Sequence, residues 1–187
     1  MNRLYAELRA AEVRGDRLTG LAAVFGQTAE IRGGYEAIGP GAFDEVLRRD
    51  DDVVGLRDHN PSMLLGRTAS GTLRVGVDGD GLAFEVPKLP NTTYANDLRE
   101  LVDRRDLRGA SFGFLPGADK IGRAPDGRQL RTHTSIRRLL DVSVVTLPAY
   151  DGTNVTLRHL TFDAPTIDRR TQIILARHRA RTLRGTQ

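Results

Sequence analysis

Hydrophobic and polar residues alternate over short stretches of the chain, which is the pattern of half-buried β-strands. Clusters of Gly, Asp, Asn and Pro separate these stretches and favour turns. The predicted strands cover residues 4–13, 17–25, 53–57, 66–76, 82–88, 107–115 and 136–147, with a further hairpin over 118–134. The pattern therefore predicts a mainly β protein with a few helices, of the α+β class.

Two segments have helical periodicity instead. Residues 92–105 place Leu98, Leu101 and Val102 at i, i+3, i+4 spacing after a threonine that can cap the first turn. A shorter helix is predicted over residues 42–49. Between residues 33 and 41, Gly and Pro recur so often that we expect a long loop.

The strand at 136–147 is almost continuously apolar, which is typical of a central strand covered on both faces. Asp141 interrupts it. A carboxylate inside a buried strand is costly unless it is paired or hydrogen-bonded, so Asp141 needs a partner. A protonated histidine or an arginine would be a suitable partner for this carboxylate. An ion pair with an arginine that has only a structural role is the simpler interpretation.

Composition narrows the possible chemistry. The chain has 187 residues and 39% hydrophobic residues, enough for one domain with its own core. Cysteine is absent, which excludes disulfides, thiol catalysis and sulfur-ligated metal sites. Because no segment resembles a membrane span or a secretory signal, we expect a soluble protein that is not exported.

The charge is distributed unevenly. Residues 158–187 carry seven arginines against two aspartates, a net charge of +5, so residues 1–157 carry −1 of the total of +4. We therefore predict a near-neutral body over 1–157 and a basic tail over 158–187 that is partly helical or mobile. Contact of this tail with nucleic acid is one interpretation of its charge.

Without cysteine, serine is the nucleophile to examine. Ser111 lies between Gly109 and Gly113, and strand alternation places all three on one face, with Phe112 and Phe114 on the other. A substrate backbone has room to approach such a serine, although a serine between glycines is also a common packing device.

The candidate bases are four histidines, His59, His133, His159 and His178, of which the first two lie in the body. His59 follows a predicted strand, where functional side chains are common. Ser111 as nucleophile, His59 as general base and Asp141 as the orienting acid would fit a serine hydrolase. The acidic clusters at 50–52 and 78–81 fit turns better than metal sites, so no metal or cofactor is predicted.

Five short motifs occur in an order that resembles one protein family. They are Ala-Ala-Val-Phe-Gly at 22–26, Gly-Pro-Gly-Ala-Phe at 39–43, Asp-His-Asn at 58–60, Arg-Gly-Ala-Ser-Phe-Gly-Phe at 108–114 and Leu-Asp-Val-Ser-Val-Val-Thr-Leu-Pro-Ala at 140–149. Together they resemble the prohead maturation serine proteases of tailed phages, relatives of herpesvirus assemblin, over about residues 3–157. The resemblance implies a closed or partly closed antiparallel β-barrel decorated by short helices.

The resemblance also implies that His59 and Ser111 match the family's histidine and nucleophilic serine. The third residue departs from the pattern, because the family usually has Glu where this chain has Asp141. Assemblin uses a second histidine instead, so His133 is the alternative orienting residue. Asp is one methylene shorter than Glu, and only proximity in the fold decides between the two candidates.

By resemblance, the protein would be a serine endopeptidase that cleaves the scaffold, or the scaffolding extension of the major capsid protein, and itself. It would act inside the assembling procapsid in the bacterial host cytoplasm, with no membrane contact and as a possible homodimer. Two alternatives remain open: a non-catalytic assembly scaffold of the same fold, and a nucleic-acid-binding protein that acts through its tail.

Overall fold

Twelve strands and two helices make up the part of the chain that the structure, a computed structural model, describes, which is residues 16–147 and the strand at 154–157. The strands are β1 Leu18–Val24, β2 Thr28–Ile31, β3 Gly34–Ile38, β4 Val54–Arg57, β5 Asn60–Arg67, β6 Arg74–Val77, β7 Gly81–Val86, β8 Gly109–Pro116, β9 Asp119–Arg123, β10 Gln129–His133, β11 Ile136–Val145 and β12 Asn154–Leu157. The helices are α1 Asp44–Arg48 and α2 Thr93–Asp103.

These strands form three four-stranded sheets, in the orders β12-β1-β7-β6, β2-β3-β10-β9 and β5-β4-β11-β8. The mainly β class with few helices is therefore as predicted. Among the described strands no sheet closes on itself, so the assemblin-like barrel stays a prediction. The prediction of purely antiparallel pairing was wrong, because β3 pairs in parallel with β10 and β4 with β11. The predicted strand over residues 4–13 and the tail from residue 158 lie outside the described residues.

The third sheet carries the candidate chemistry. Its strand β11 lies between β4, which runs parallel to it, and β8, which runs antiparallel to it. The prediction of an interior strand at 136–147 is confirmed, although only the last four residues of β11, 142–145, are continuously buried. This arrangement brings together three segments that are distant in the sequence.

Aliphatic side chains and a row of phenylalanines form the core beneath this sheet. Phe43 meets Phe112 edge to face with ring centroids 5.6 Å apart, and Phe112 stacks on Phe114 at 4.9 Å. Aromatic pairs of this kind add about 0.5–1.5 kcal/mol each beyond the area they bury. The aromatic face of β8 thus points inward, as strand alternation predicts.

Local signals predicted several elements correctly. Both helices form, and the hairpins β6–β7 and β9–β10 turn at the predicted Gly and Asp clusters. Within residues 16–147 no helix is long and apolar enough to cross a membrane.

Several predictions of strands and connections were wrong. The Gly-rich segment at 33–41 is not a long loop, because β3 pairs in parallel with β10 and a side chain at Gly34 would collide with the carbonyl of Gln129. Strand β5 was not predicted, since it begins with Asn60-Pro61 and lacks strict alternation. The single strand predicted over 66–76 is interrupted by a turn at 68–71, which separates the end of β5 from β6.

Candidate active site

Strand β8 presents Ser111 on the face that points away from the phenylalanine core. Antiparallel pairing sets Ser111 directly opposite Ser143 of β11, and Gly113 opposite Asp141. Directly opposed residues project from the same face of a sheet, with Cβ atoms about 4.5–5.5 Å apart. The nucleophile candidate and the carboxylate candidate therefore share one face of one sheet.

Ser111 is buried but retains 8% exposure. None of the residues at 16–147 forms a hydrogen bond with its side chain. Its hydroxyl is thus not committed to a structural contact within the described part of the chain.

His59 approaches Asp141 from the β4–β5 turn. Arg57 pairs with Asn60, so Asp58 and His59 are the two central residues of a tight reversal, and both have positive φ, 50° and 55°. Positive φ at both central residues characterises the type I′ turn, which usually contains Asn-Gly. Asp and His are among the few other residues that tolerate this conformation.

Asp58 fastens the turn to β11. Its backbone N–H donates to the carbonyl of Val144 at 2.9 Å, and its Oδ1 accepts from the backbone N–H of Thr146 at 3.0 Å. These two bonds hold the turn against the end of β11, and they fix the direction in which His59 leaves the backbone.

The His59 ring contacts Asp141, with Nδ1 2.7 Å from Oδ1. The Asp141 side chain is only 13% exposed, whereas that of His59 is 42% exposed. Because an ionised carboxylate can only accept, the neutral ring must carry its proton on Nδ1. Its Nε2 is then a free base directed away from Asp141.

Glycine at 113 leaves room for this carboxylate. A Cβ built on Gly113 would lie 2.2 Å from Oδ2 of Asp141, far inside van der Waals contact. The sequence suggested that the missing side chain opens space for a substrate. At Gly113 that space holds Asp141 instead.

His133 occupies a different environment. It is 3% exposed in β10, its Nε2 lies 3.3 Å from Oε2 of Glu36, and its ring packs edge-on against Phe114. Phe114 projects from the face of β8 opposite to Ser111. The structure thus brings His59, not His133, into contact with Asp141.

Two residues of the site were not singled out from the sequence. Ser143 donates from Oγ to Oδ1 of Asp141 at 2.6 Å, and Asp58 anchors the turn that carries His59. A usable signal for Ser143 was its position two residues after Asp141, on the same face of one strand. Among the described residues no group of His, Asp or Glu is arranged to hold a metal ion.

Comparison with known proteins gives a family match across most of the chain. Residues 5–166 match the family model described as caudovirus prohead serine protease. A search of curated proteins finds no match.

Among solved structures, the protease of Kaposi's sarcoma herpesvirus, in complex with an allosteric inhibitor, is similar at 11% identity and a TM-score of 0.43. The similarity covers 88% of this chain and 90% of that one. The family match is the stronger finding, because it spans the turn of His59 and both strands of Ser111 and Asp141. The chain therefore belongs to the caudovirus prohead serine proteases, enzymes of capsid maturation.

Proposed function

We propose that Ser111 is the nucleophile of this protease, His59 its general base and Asp141 the residue that orients His59. The observation that carries the proposal is the 2.7 Å contact between Nδ1 of His59 and Oδ1 of Asp141, on the strand face that also presents Ser111. The substrates proposed are the scaffold, or the scaffolding extension of the major capsid protein, and the protease itself.

The chemistry follows from these roles. Ser111 Oγ attacks the carbonyl carbon of the scissile peptide bond while its proton passes to Nε2 of His59. Asp141 stabilises the imidazolium that forms, without taking its proton. The tetrahedral intermediate collapses when His59 protonates the leaving amine, and a water activated by the same ring then hydrolyses the acyl-enzyme.

Asp141 suits this role although the family usually has Glu there. The shorter side chain still reaches the ring, because the type I′ turn directs His59 back toward β11 and Gly113 leaves space beside the carboxylate. The Asp141 carboxylate is only partly exposed and accepts two hydrogen bonds, so it has the polar partners that its position in an apolar strand requires.

A prohead protease acts on capsid or scaffold proteins in the assembling procapsid. For this chain we propose that the procapsid assembles in the bacterial host cytoplasm. A homodimer and a nucleic-acid contact by the tail stay predictions.

Co-expression tests the function. The Ser111→Ala variant, expressed with the phage's major capsid and scaffolding proteins, should leave them at full length, whereas the unaltered protease shortens them. Ser135→Ala is the matched control, because Ser135 precedes β11 and, among the described residues, its Oγ accepts only from the backbone N–H of Ala118 at the far end of the sheet. Normal processing by Ser111→Ala would refute the proposed nucleophile.

A further inference from the structure

The interior of the candidate site contains a second serine. Ser143 is 0% exposed, and its Oγ donates to Oδ1 of Asp141 at 2.6 Å. The same oxygen contacts Nδ1 of His59 at 2.7 Å. One carboxylate oxygen thus receives both the serine hydroxyl and the histidine ring.

The length of this bond indicates a strong interaction. Hydroxyl bonds to an ionised carboxylate are typically about 2.5–2.7 Å long and roughly twice as strong as bonds between neutral groups. The terminal torsion of an aspartate is broad, so the carboxylate needs an external contact to hold one oxygen toward the ring. Ser143 supplies that contact from the same strand face.

Ser143 is not an alternative nucleophile. Its side chain is fully enclosed, and its hydroxyl proton is committed to Asp141. Ser111, the residue directly opposite on β8, retains exposure and forms no side-chain hydrogen bond within residues 16–147. The Ser111 side chain is therefore partly accessible and its hydroxyl is uncommitted within residues 16–147, whereas the Ser143 hydroxyl is enclosed and bonded to Asp141.

We propose that Ser143 is a positioning residue, whose hydroxyl fixes Oδ1 of Asp141 so that His59 keeps its proton on Nδ1 and offers Nε2 to Ser111. This inference rests on the proposed roles of Ser111, His59 and Asp141. Ser143 acts only through Asp141 and does not touch the reacting atoms.

Loss of the Ser143 hydroxyl should misdirect the histidine without altering the substrate site. We expect Ser143→Ala to lower kcat by about 10- to 100-fold, the scale on which misplacement by about 1 Å acts. A complete change of the histidine ring to the wrong tautomer would lower kcat more, by roughly 10⁴-fold. The KM should change less than about twofold, since no substrate contact is removed.

The test combines kinetics with nitrogen NMR of the full-length protein. The cleavage rate of a peptide that spans a capsid-protein processing site is measured for the unaltered protein, Ser111→Ala, Ser143→Ala and Ser135→Ala. Histidine labelled with ¹⁵N, assigned with a His59→Gln variant, reports which ring nitrogen of His59 carries the proton.

In the unaltered protein and in Ser135→Ala, the proton of the His59 ring should reside on Nδ1. In Ser143→Ala, a fraction of the molecules should carry it on Nε2 instead, and kcat should fall. Ser143→Ala with unchanged kcat and an unchanged tautomer would overturn the positioning role. Activity that persists in Ser111→Ala would instead refute the proposed nucleophile, whatever Ser143 does. The NMR signal needs no turnover, so it tests Ser143 in either case.

Discussion

Gly113 and Asp141 occupy complementary space across two strands, and this pairing determines where the carboxylate lies. The carboxylate fills the volume that a side chain at position 113 would take, with 2.2 Å between Oδ2 and a hypothetical Cβ. The atom in the way is the end of a side chain, so an added methyl group would displace the carboxylate and leave the strand in place. A small change at 113 should therefore act on the histidine through Asp141.

Gly113→Ala should consequently lower kcat by about 100-fold or more, because the Asp141 carboxylate loses its position beside His59. The melting temperature should change little. The measurement is peptide cleavage together with thermal unfolding.

Gly76→Ala is the matched control, since Gly76 also lies within a strand, β6, but a Cβ there meets nothing within 4 Å. Equal activity in the two alanine variants would contradict the packing argument.

At the scale of elements, the β4–β5 turn is the structure that places His59. Two consecutive residues with positive φ are conformationally costly, and such strain persists only where surrounding contacts hold it. Asp58 provides those contacts through its bonds to Val144 and Thr146.

Asp58→Ala should destabilise the fold by about 1–2 kcal/mol, because it removes the bond to Thr146 and places alanine in the left-handed region. It should also lower kcat. Asp58→Asn keeps an acceptor oxygen and tolerates positive φ, so we expect near-normal stability and activity. Urea unfolding measures the stability of each variant, and peptide cleavage measures its activity. An equal loss of activity in Asp58→Ala and Asp58→Asn would show that the bond to Thr146 does not position His59.

At the end of helix α2, Asp103 should make the stability of the fold depend on pH. Burial raises the pKa of Asp103, Glu100 raises it further, and Arg99 opposes the change. An acid whose pKa is higher in the folded state loses stability when it ionises, so the cost is present at neutral pH and absent below its ordinary pKa of about 3.9.

Asp103→Asn should therefore stabilise the protein at pH 7, but by no more than a few tenths of a kcal/mol, because Asp103 is exposed and solvent screens its interactions. The gain should disappear near pH 3, where the aspartate is protonated. Unfolding at the two pH values measures the difference, and a gain of equal size at both would contradict the assigned cause.

The elements also show how far the sequence predicts the fold. Helix α2 and the β6–β7 and β9–β10 hairpins follow from periodicity and turn residues that act locally. Strand β5 was missed because its turn has Asp-His where Asn-Gly is usual. Strand β3 was missed because its near partner β2 has only 4 residues and its other partner, β10, lies about 95 residues later.

The candidate site is predictable to a similar extent. Alternation alone puts Ser111 and Gly113 on one face, and burial alone shows that Asp141 needs a partner. The identity of that partner depends on the parallel pairing of β4 with β11, which brings together residues 82 positions apart. The role of Ser143 depends on a hydroxyl direction that no sequence pattern specifies.

At the scale of the whole molecule, the net charge and the candidate site lie in different parts of the sequence. The candidate site lies in the near-neutral body, while the net charge of +5 lies in residues 158–187. We therefore expect that replacement of Arg177, Arg179, Arg181 and Arg184 by Gln leaves peptide cleavage within about twofold. If the tail contacts nucleic acid, the same variant should lose DNA affinity and most of the salt dependence of binding. A large loss of peptide cleavage would assign the tail a part in the site.

Covalent labelling of the serine tests the central claim most directly, because it needs no knowledge of the substrate. The full-length protein is treated with a fluorophosphonate, which reacts with activated serines, and the modified residue is identified by peptide mass spectrometry. The account predicts a single adduct on Ser111, lost in Ser111→Ala and strongly reduced in His59→Gln and Asp141→Asn. An adduct on Ser143 or elsewhere, or labelling of Ser111 that is unchanged in His59→Gln, would contradict it.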